Sequence, residues 1–418
     1  MENNIENIKE KVKELILSTP NITSVSYGFK FVGGKQTNEL SIMYGVEKKK
    51  PLSELLPEEV LPNSIIVGNQ VIKTDVHEIN LAELIACNSD CGQIAGPNSA
   101  NNRAYTRPLK GGLSISSTNT VDHVGTMGFI AVHTDTQALV GVTNNHVIIQ
   151  DAFYTSERNL YSTIENEYSP INDIYQDGET GSIPASNYIV GQSLRYVPIS
   201  GQVINFTDAA IFSLNQTDID NATSYKIVGF EDYNTPLPFA TTSEIDNLLT
   251  TNPMIYSSGR TTGPKGGITC PMRIFSLFSG IILNYKKQGN NTNAYFGDQI
   301  CFVKPENDPD LSSLCAKPVW SGDSGSALIA DFNGTRKIIG LVFAGGPVGS
   351  EFYYGYANRI DRVASEIGIE AWDGTTKNYV DPSSIIYKTT SNGSFDKILS
   401  CNGQNYWQVG LTTLDNPC

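Results

Sequence analysis

Three short segments of the sequence contain side chains of the kinds used in acyl-transfer chemistry. His146 ends the run Gly-Val-Thr-Asn-Asn-His, Asp208 lies in Phe-Thr-Asp-Ala-Ala-Ile, and Ser324 lies in Trp-Ser-Gly-Asp-Ser-Gly-Ser. Each segment alone has a commoner structural explanation, because a lone histidine is usually a packed residue and aspartate and glycine are frequent in ordinary turns. The combination of the three is more specific than any one of them.

A serine nucleophile needs a base that takes its proton, a carboxylate that orients the base, and N–H donors for the developing oxyanion. In the chain order His, Asp, Ser, we predict His146 as general base, Asp208 as its orienting carboxylate and Ser324 as nucleophile. The glycines around Ser324 allow the N–H groups of Gly322 and Ser324 to converge as an oxyanion hole. The sequence leaves three other carboxylates open for the orienting role: Asp173, Asp177 and Asp218.

These segments together resemble the chymotrypsin/trypsin-like serine peptidases, in particular intracellular bacterial trypsin-like proteins related to the plant narrow-leaf type. The likeness covers roughly residues 20–370, including Gly45–Lys50 ahead of a Pro-rich loop. The segments that carry it within the predicted barrels are Thr143–Val147, Asp208–Ile211, Ser258–Gly263, Gly322–Ser326 and Gly340–Gly345.

The resemblance implies a serine endopeptidase that hydrolyses peptide bonds through an acyl-enzyme on Ser324. It also implies that Phe343, Ala344 and Gly345 line the substrate cleft. Two alternatives remain open: a catalytically silent protease-fold binding module, and an esterase on the same fold. Labelling of Ser324 by a fluorophosphonate separates the silent module from both enzymes, and a peptide digest separates peptidase from esterase.

The sequence departs from secreted trypsins in several places. Val147 and Trp320 stand where such enzymes usually carry cysteines, so two of their disulfides are absent. No Arg-Ile-Val-Gly-Gly-like activation sequence precedes the predicted barrels, which leaves Asp323 without a new N-terminus to pair with. Pro318 stands six residues before Ser324, where enzymes that cleave after basic residues carry Asp. A strong preference for Lys or Arg is therefore not expected.

The elements that must position these residues predict a mainly β protein. Residues 1–80 combine one amphipathic helix, ending before Pro20, with an alternating hairpin, and we expect a small N-terminal α+β domain with the helix on an antiparallel sheet. Residues 81–108 are expected to be a linker, and 109–370 a trypsin-like double six-stranded β-barrel. The remainder, 371–418, is expected to be a short β-rich C-terminal extension.

Composition limits the partners. The 418 residues include 43 acidic and 29 basic ones, for a net charge of −14, so a nucleic-acid surface is not expected. No apolar run approaches the roughly 18 residues of a membrane helix, and the first residues lack a secretory signal. We therefore expect a cytoplasmic protein whose partner is a protein or peptide substrate, with no membrane association. A homo-oligomer or a regulatory protein partner is compatible with the sequence.

The seven cysteines are too few and too scattered for a disulfide framework. Cys87 and Cys91 are close in sequence, but no second Cys/His pair with zinc-like spacing lies near them. Cys270 and Cys301 remain open as a pair on neighbouring strands. We expect no metal and no cofactor.

Overall fold

The structure is a computed structural model, and parts of the chain lie outside what it describes. The described residues are 2–32, 35–85, 99–117, 124–149, 153–154, 161–163, 173–176, 188–197, 199–200, 204–215, 218, 225–266, 271–287, 290–303, 317–348, 352–375, 378–379, 398–401 and 404–408.

Most described residues with regular structure lie in strands, which confirms the expected mainly β class. In chain order the strands are β1 (Ser24–Val32), β2 (Lys35–Val46), β3 (Ser64–Val67), β4 (Gln70–Glu78), β5 (Ala82–Leu84), β6 (Ser114–Ser117), β7 (Gly125–Thr126), β8 (Phe129–His133), β9 (Ala138–Thr143), β10 (Phe153–Tyr154), β11 (Tyr161–Thr163), β12 (Asp173–Gln176), β13 (Ile189–Tyr196), β14 (Ile199–Ser200), β15 (Ile204–Asn205), β16 (Ala210–Ser213), β17 (Met254–Gly259), β18 (Gly263–Gly266), β19 (Arg273–Lys287), β20 (Asn290–Val303), β21 (Ala327–Phe332), β22 (Thr335–Val348), β23 (Phe352–Arg359), β24 (Ile369–Ala371), β25 (Ile398–Cys401) and β26 (Gln404–Gln408).

The helices are short except for the first. They are α1 (Glu2–Ser18), α2 (Ala100–Arg103), α3 (Asn145–Ile148), α4 (Thr242–Asp246), α5 (Leu248–Thr251) and α6 (Ile360–Ile367), with 3₁₀ turns at Leu52–Glu54 and Pro57–Glu59. In the described part of the chain, no helix has the length and apolar character needed to cross a membrane.

Helix α1 covers a sheet with one apolar face. Ile8, Val12 and Ile16 recur every four residues and are buried, so they share the side of the helix that packs on β1 and β19. The helix ends at Ser18, because Pro20 disfavours helical backbone in the residue before it.

The N-terminal strands form a mixed sheet. Strands β1 and β2 pair antiparallel, which confirms the expected hairpin. Strand β4 pairs parallel to β2, with Ile42 opposite Thr74, so the expected wholly antiparallel sheet is wrong. Strands β3 and β4 form their own hairpin. The parallel pairing arises because the second strand of this hairpin, rather than the first, lies beside β2.

Two large sheets account for the predicted barrel region. The first has the strand order β24-β8-β9-β16-β13-β12-β6-β7. The second runs β18-β17-β21-β22-β23-β20-β19 and continues through β1-β2-β4-β3, because β1 pairs antiparallel with β19. A single cluster of buried apolar side chains includes Ile16 of α1, Val140 of β9 and Leu341 of β22. The count of six strands in each of two barrels, and the boundary near residue 80, stay predictions.

The start of the expected linker differs from the sequence prediction. Residues 82–84 form β5, which pairs antiparallel with β22 and parallel with β19. Ile85 follows and is buried. Most of the remaining linker, 86–98 with Cys87 and Cys91, lies outside the described residues. The segment between the N-terminal strands and the predicted barrels is therefore bound into the second sheet at its beginning.

Candidate active site

Ser324 lies on a tight turn that leads into β21. The turn contains Gly322 at φ +100° and Gly325 at φ +92°, conformations that side-chain-bearing residues rarely adopt. A Cβ on Gly325 would overlap the carbonyl oxygen of Thr126, and one on Gly322 would overlap the hydroxyl of Thr261. The glycines of the motif are thus required by both backbone conformation and close packing.

His146 lies on α3, the single helical turn that follows β9. Its Nε2 is 2.8 Å from Ser324 Oγ, and its side chain is 3% exposed. Asn145, beside it, donates from its side chain to the carbonyl of Val197, at 2.6 Å, which ties the turn to the end of β13. The imidazole is therefore held against the serine hydroxyl from the opposite sheet.

Asp208 precedes β16 and contacts His146 twice. Its Oδ2 lies 2.5 Å from the imidazole Nδ1, and its Oδ1 accepts the main-chain N–H of the same residue at 3.2 Å. The carboxylate is fully buried. Of the other candidates, Asp173 accepts from Gln192 at 2.9 Å and Asp218 accepts the N–H of Leu109 at 3.2 Å.

Burial raises the pKa of Asp218, and nearby Arg107 opposes that shift. Asp177 lies outside the described residues. The structure therefore brings His146, Asp208 and Ser324 into one hydrogen-bonded row.

Three residues that sequence reasoning missed hold Asp208 in place. Asn144 donates to its carbonyl oxygen at 2.6 Å, and Asn358 accepts its N–H at 3.0 Å. The side-chain amide of Asn358 donates to Gln299 at 2.7 Å. Asn144 lies two residues before His146, inside the same short motif, so the sequence offered a local signal for this residue. Asn358 and Gln299 are distant in sequence and carry no local motif.

Thr126 of the first sheet connects to the serine turn. Its N–H donates to the carbonyl of Ser324 at 2.7 Å, and its hydroxyl donates to the carbonyl of Gly322 at 2.8 Å. The candidate site thus lies where the two sheets meet, with His146 and Asp208 beside one sheet and Ser324 beside the other.

Asp323 is buried and already has partners. Its Oδ1 accepts the N–H groups of Thr261 and Thr262, each at 3.0 Å, and its Oδ2 accepts the N–H of Trp320 at 2.9 Å. Burial raises the pKa of this carboxyl, while the positive charge of Lys265 opposes the shift. Main-chain N–H groups of this chain therefore satisfy the Asp323 carboxylate. The sequence had offered no new amino terminus as its partner.

The expected substrate cleft contains the chain's own strand β5. Leu84 lies opposite Ala344 and Glu83 opposite Gly345, in antiparallel pairing. The N–H of Ile85 donates to the carbonyl of Phe343 at 3.3 Å.

The carbonyl oxygen of the same isoleucine accepts the N–H of Gly322, one of the two predicted oxyanion donors. Sequence reasoning missed this strand, because three residues are too few to show a period.

No group of three or more His, Cys, Asp or Glu side chains suited to a metal occurs among the residues that the structure describes. Cys301 is buried and outside any disulfide, and burial raises the pKa of its thiol. Cys270, its suggested neighbour, lies outside the described residues.

No protein-family model matches the sequence, and no curated protein matches it. Solved structures that resemble the fold are chymotrypsin/trypsin-like serine proteases. A glutamic-acid-specific serine protease described as using a histidine triad in substrate binding is 14% identical, with 63% of this chain and 100% of that protein covered and a TM-score of 0.36.

Cellulomonas bogoriensis chymotrypsin is 12% identical, with 63% and 98% covered and a TM-score of 0.35. The Nocardiopsis protease NAPase is also 12% identical, with the same coverage and a TM-score of 0.33. Likeness at this level carries no conclusion about activity.

Proposed function

We propose that this protein is a serine endopeptidase that hydrolyses peptide bonds through an acyl-enzyme on Ser324. The observation that carries the proposal is the buried row of hydrogen bonds from Asp208 through His146 to the serine hydroxyl, with heavy-atom distances of 2.5 and 2.8 Å. This is the geometry that nucleophile activation by a neighbouring base requires.

In the proposed reaction, Ser324 Oγ attacks the scissile carbonyl carbon while its proton passes to His146 Nε2. The Asp208 carboxylate keeps the ring proton on Nδ1 and stabilises the imidazolium. The imidazolium then gives its proton to the leaving amine. Water, activated by the same histidine, hydrolyses the ester and restores the free hydroxyl.

The oxyanion is assigned to the N–H groups of Gly322 and Ser324. Support comes from Ile85, whose carbonyl oxygen already accepts the Gly322 N–H. A donor that binds a carbonyl oxygen beside the nucleophile can bind the charged oxygen that develops there more strongly, because charge-assisted hydrogen bonds are about twice as strong as neutral ones.

The test is covalent labelling of the full chain with a fluorophosphonate, followed by digestion and identification of the labelled serine. Since β5 pairs with β22, the strand expected to line the cleft, the probe is applied to the wild type and to Ile85→Asp, which weakens the binding of that strand. We expect labelling at Ser324, no labelling in Ser324→Ala, and normal labelling in the matched control Ser321→Ala from the same loop.

Absence of labelling in both the wild type and Ile85→Asp would contradict the proposal and favour a silent binding module. A peptide-library digest then distinguishes the enzymes. Hydrolysis of esters without any peptide cleavage would support an esterase instead.

A further inference from the structure

A buried hydrogen bond joins the residue before Asp208 to helix α6. The hydroxyl of Thr207 donates to the carboxyl Oε2 of Glu366 at 2.5 Å. Thr207 is fully buried, and Glu366 is 8% exposed. Such a bond is charge-assisted whenever the carboxyl is ionised, which makes it about twice as strong as a neutral one. Helix α6 therefore holds the segment that carries the predicted orienting carboxylate.

The strand that leads into α6 holds Asp208 itself. Asn358, near the end of β23, accepts the main-chain N–H of Asp208 at 3.0 Å, and α6 begins two residues later at Ile360. One continuous segment, 358–366, thus contacts two consecutive residues, Thr207 through its side chain and Asp208 through its backbone. Two attachments on neighbouring residues restrict both the position and the rotation of the peptide group between them.

Helix α6 is itself fixed to both sheets. Arg362 on the helix pairs with Asp298 of β20 at 3.1 Å, and its guanidinium carbon lies 4.9 Å from the ring centroid of Phe206. From the first sheet, Arg195 donates to the main-chain carbonyl of Glu366 at 3.3 Å. The carboxyl of Glu366 is therefore an acceptor held in place by its surroundings, so it can restrain the threonine that donates to it.

The place of the donor in the chain distinguishes this contact from an ordinary buried hydrogen bond. A buried carboxyl needs a partner simply to be tolerated, and any donor would meet that need. Here the donor is the residue next to Asp208, whose carboxylate lies 2.5 Å from His146 Nδ1. Because a single peptide group separates Thr207 from Asp208, a movement of the threonine is passed directly to the aspartate.

We propose that Glu366 is a positioning residue for the Asp208 carboxylate and that it acts through the Thr207 hydroxyl. Its effect on rate rests on the proposed peptidase function, whereas its effect on the contact between Asp208 and His146 does not. Reacting groups must be held near their productive geometry by the side chains around them, and a misplacement of about 1 Å can slow a reaction about 100-fold. Loss of the bond between Thr207 and Glu366 should therefore lower reactivity while the protein stays folded.

The experiment removes the hydroxyl and keeps the shape of the side chain, with Thr207→Val in the full chain. Because this leaves the Glu366 carboxyl without its donor, a second variant combines Thr207→Val with Glu366→Met and so replaces both polar groups by apolar ones. Thr207→Ser keeps the hydroxyl and should rescue the bond. The matched control is Thr23→Val, which removes another buried hydroxyl, one that donates to the carbonyl of Ile79 at 2.6 Å beside the N-terminal strands.

Fluorophosphonate labelling of Ser324 measures reactivity, in the wild type or in Ile85→Asp, whichever is labelled. We expect the saturating labelling rate to fall at least ~10-fold in Thr207→Val and in the double variant. The probe concentration at half saturation should stay within about twofold, because the bond acts on the reacting groups and not on probe binding. Thr207→Ser and Thr23→Val should keep the rate within about threefold.

Proton NMR of the full chain measures the geometry without any reaction. The proton that His146 Nδ1 donates to the Asp208 carboxylate resonates far downfield, at a position that depends on the geometry of this hydrogen bond. We expect the resonance to shift or broaden in Thr207→Val and in the double variant. It should keep its wild-type position in Thr207→Ser and Thr23→Val, and circular dichroism checks that each variant is folded.

Failure of this inference is distinguishable from failure of the peptidase proposal. If Ser324 is labelled, a wild-type labelling rate or an unchanged resonance in the folded Thr207→Val or double variant overturns the positioning role and leaves the peptidase standing. Equal losses in Thr23→Val also overturn it, since they would reflect general destabilisation. If no form of the chain is labelled, the peptidase proposal fails and the resonance alone decides. A shift then supports the positioning role, and an unchanged or absent resonance overturns it.

Discussion

Asp208 contacts His146 at the ring and at the backbone, and the two contacts restrict different motions. The bond to Nδ1 fixes which ring nitrogen carries the proton, while the bond to the main-chain N–H fixes the plane of the carboxylate. Asn144 and Asn358 then hold the aspartate backbone from both sides. These contacts therefore favour the tautomer that leaves Nε2 free to accept a proton, as the proposed function requires.

We predict that Asp208→Asn folds but reacts at least ~10³-fold more slowly, because an amide favours the wrong tautomer of His146. The measurement is the rate of fluorophosphonate labelling, with circular dichroism as the check on folding. Asp173→Asn is the matched control and should retain the wild-type rate. If the control loses activity and Asp208→Asn does not, the orienting carboxylate has been assigned to the wrong residue.

Glu366 on α6 introduces a pH dependence close to the site. Burial raises the pKa of its carboxyl to about 7, from 4.5, against the opposing hydrogen bond from Thr207. Between these pH values the folded protein holds a proton that the unfolded chain has released. The free energy of unfolding contributed by this group therefore falls as pH rises from 4.5 to 7.

We predict that Glu366→Gln removes this loss. The variant should match wild type near pH 4.5 and exceed it above pH 7, by up to about 3 kcal/mol. Urea unfolding at a series of pH values measures the difference, and Glu370→Gln, an exposed neighbour, is the control. A variant that stays parallel to wild type at every pH would show that the pKa of this carboxyl is not raised in the folded protein.

Among the elements, helix α1 packs on two strands that are far apart in the sequence. Its buried face packs on β1 and on β19, so it covers the junction where the N-terminal strands continue the second sheet. Ile16 lies over Gly280 of β19, where a built Cβ would come within 3.1 Å of the isoleucine Cβ. The helix therefore stabilises the sheet that also contains β22, the strand expected to line the substrate cleft.

We predict that Ile16→Asp lowers the free energy of unfolding by about 3–5 kcal/mol, because it buries an unpaired carboxylate. The adjacent Leu17 is 58% exposed, so Leu17→Asp is the matched control and should change stability by less than about 0.5 kcal/mol. Thermal and urea unfolding measure both. Equal effects of the two substitutions would mean that α1 does not pack on the sheet as described.

The elements also show which features a sequence can predict. Helix α1 and the β1–β2 hairpin are local, and their apolar periods of four and two residues are visible in the chain. Ser324 and His146 can likewise be recognised from the sequence, because each lies in a short local motif. Strand β5 shows no periodic pattern in the sequence. Its Ala-Glu-Leu segment is extended because it pairs with β19 and β22, which lie about 200 residues or more downstream. Asn358 meets Asp208 and Gln299 only in the folded sheets, so the local sequence around Asn358 and Gln299 does not predict these contacts.

For the whole molecule, we expect the burial of apolar side chains to be the dominant favourable contribution to folding. The cluster that includes Ile16, Val140 and Leu341 joins the N-terminal helix to both sheets. A core of this extent does not depend on crosslinks in the way that domains below roughly 70–80 residues do. Cys301 lies within such packing as a buried thiol.

We predict that probe labelling and the melting temperature are unchanged by a thiol reductant and, separately, by a metal chelator. Untreated protein in the same buffer is the control. Loss of activity in reductant would reveal a structural disulfide. Loss in chelator would point to an ion site involving Cys87 and Cys91, or the acidic stretch 173–179, most of which lies outside the described residues.

The pairing of β1 with β19 has a consequence for how the protein would bind a peptide under the proposed function. Because β1 pairs with β19 and α1 packs on both strands, the part of the chain that leads into β5 is anchored to the second sheet. This tether holds β5 beside Ser324 at an effective concentration on the order of millimolar, whatever the amount of protein in solution. Under the proposed function, a peptide arriving from outside must outcompete that strand, so the apparent KM for free peptides should be high. It should fall when the tether is loosened by a substitution such as Ile16→Asp.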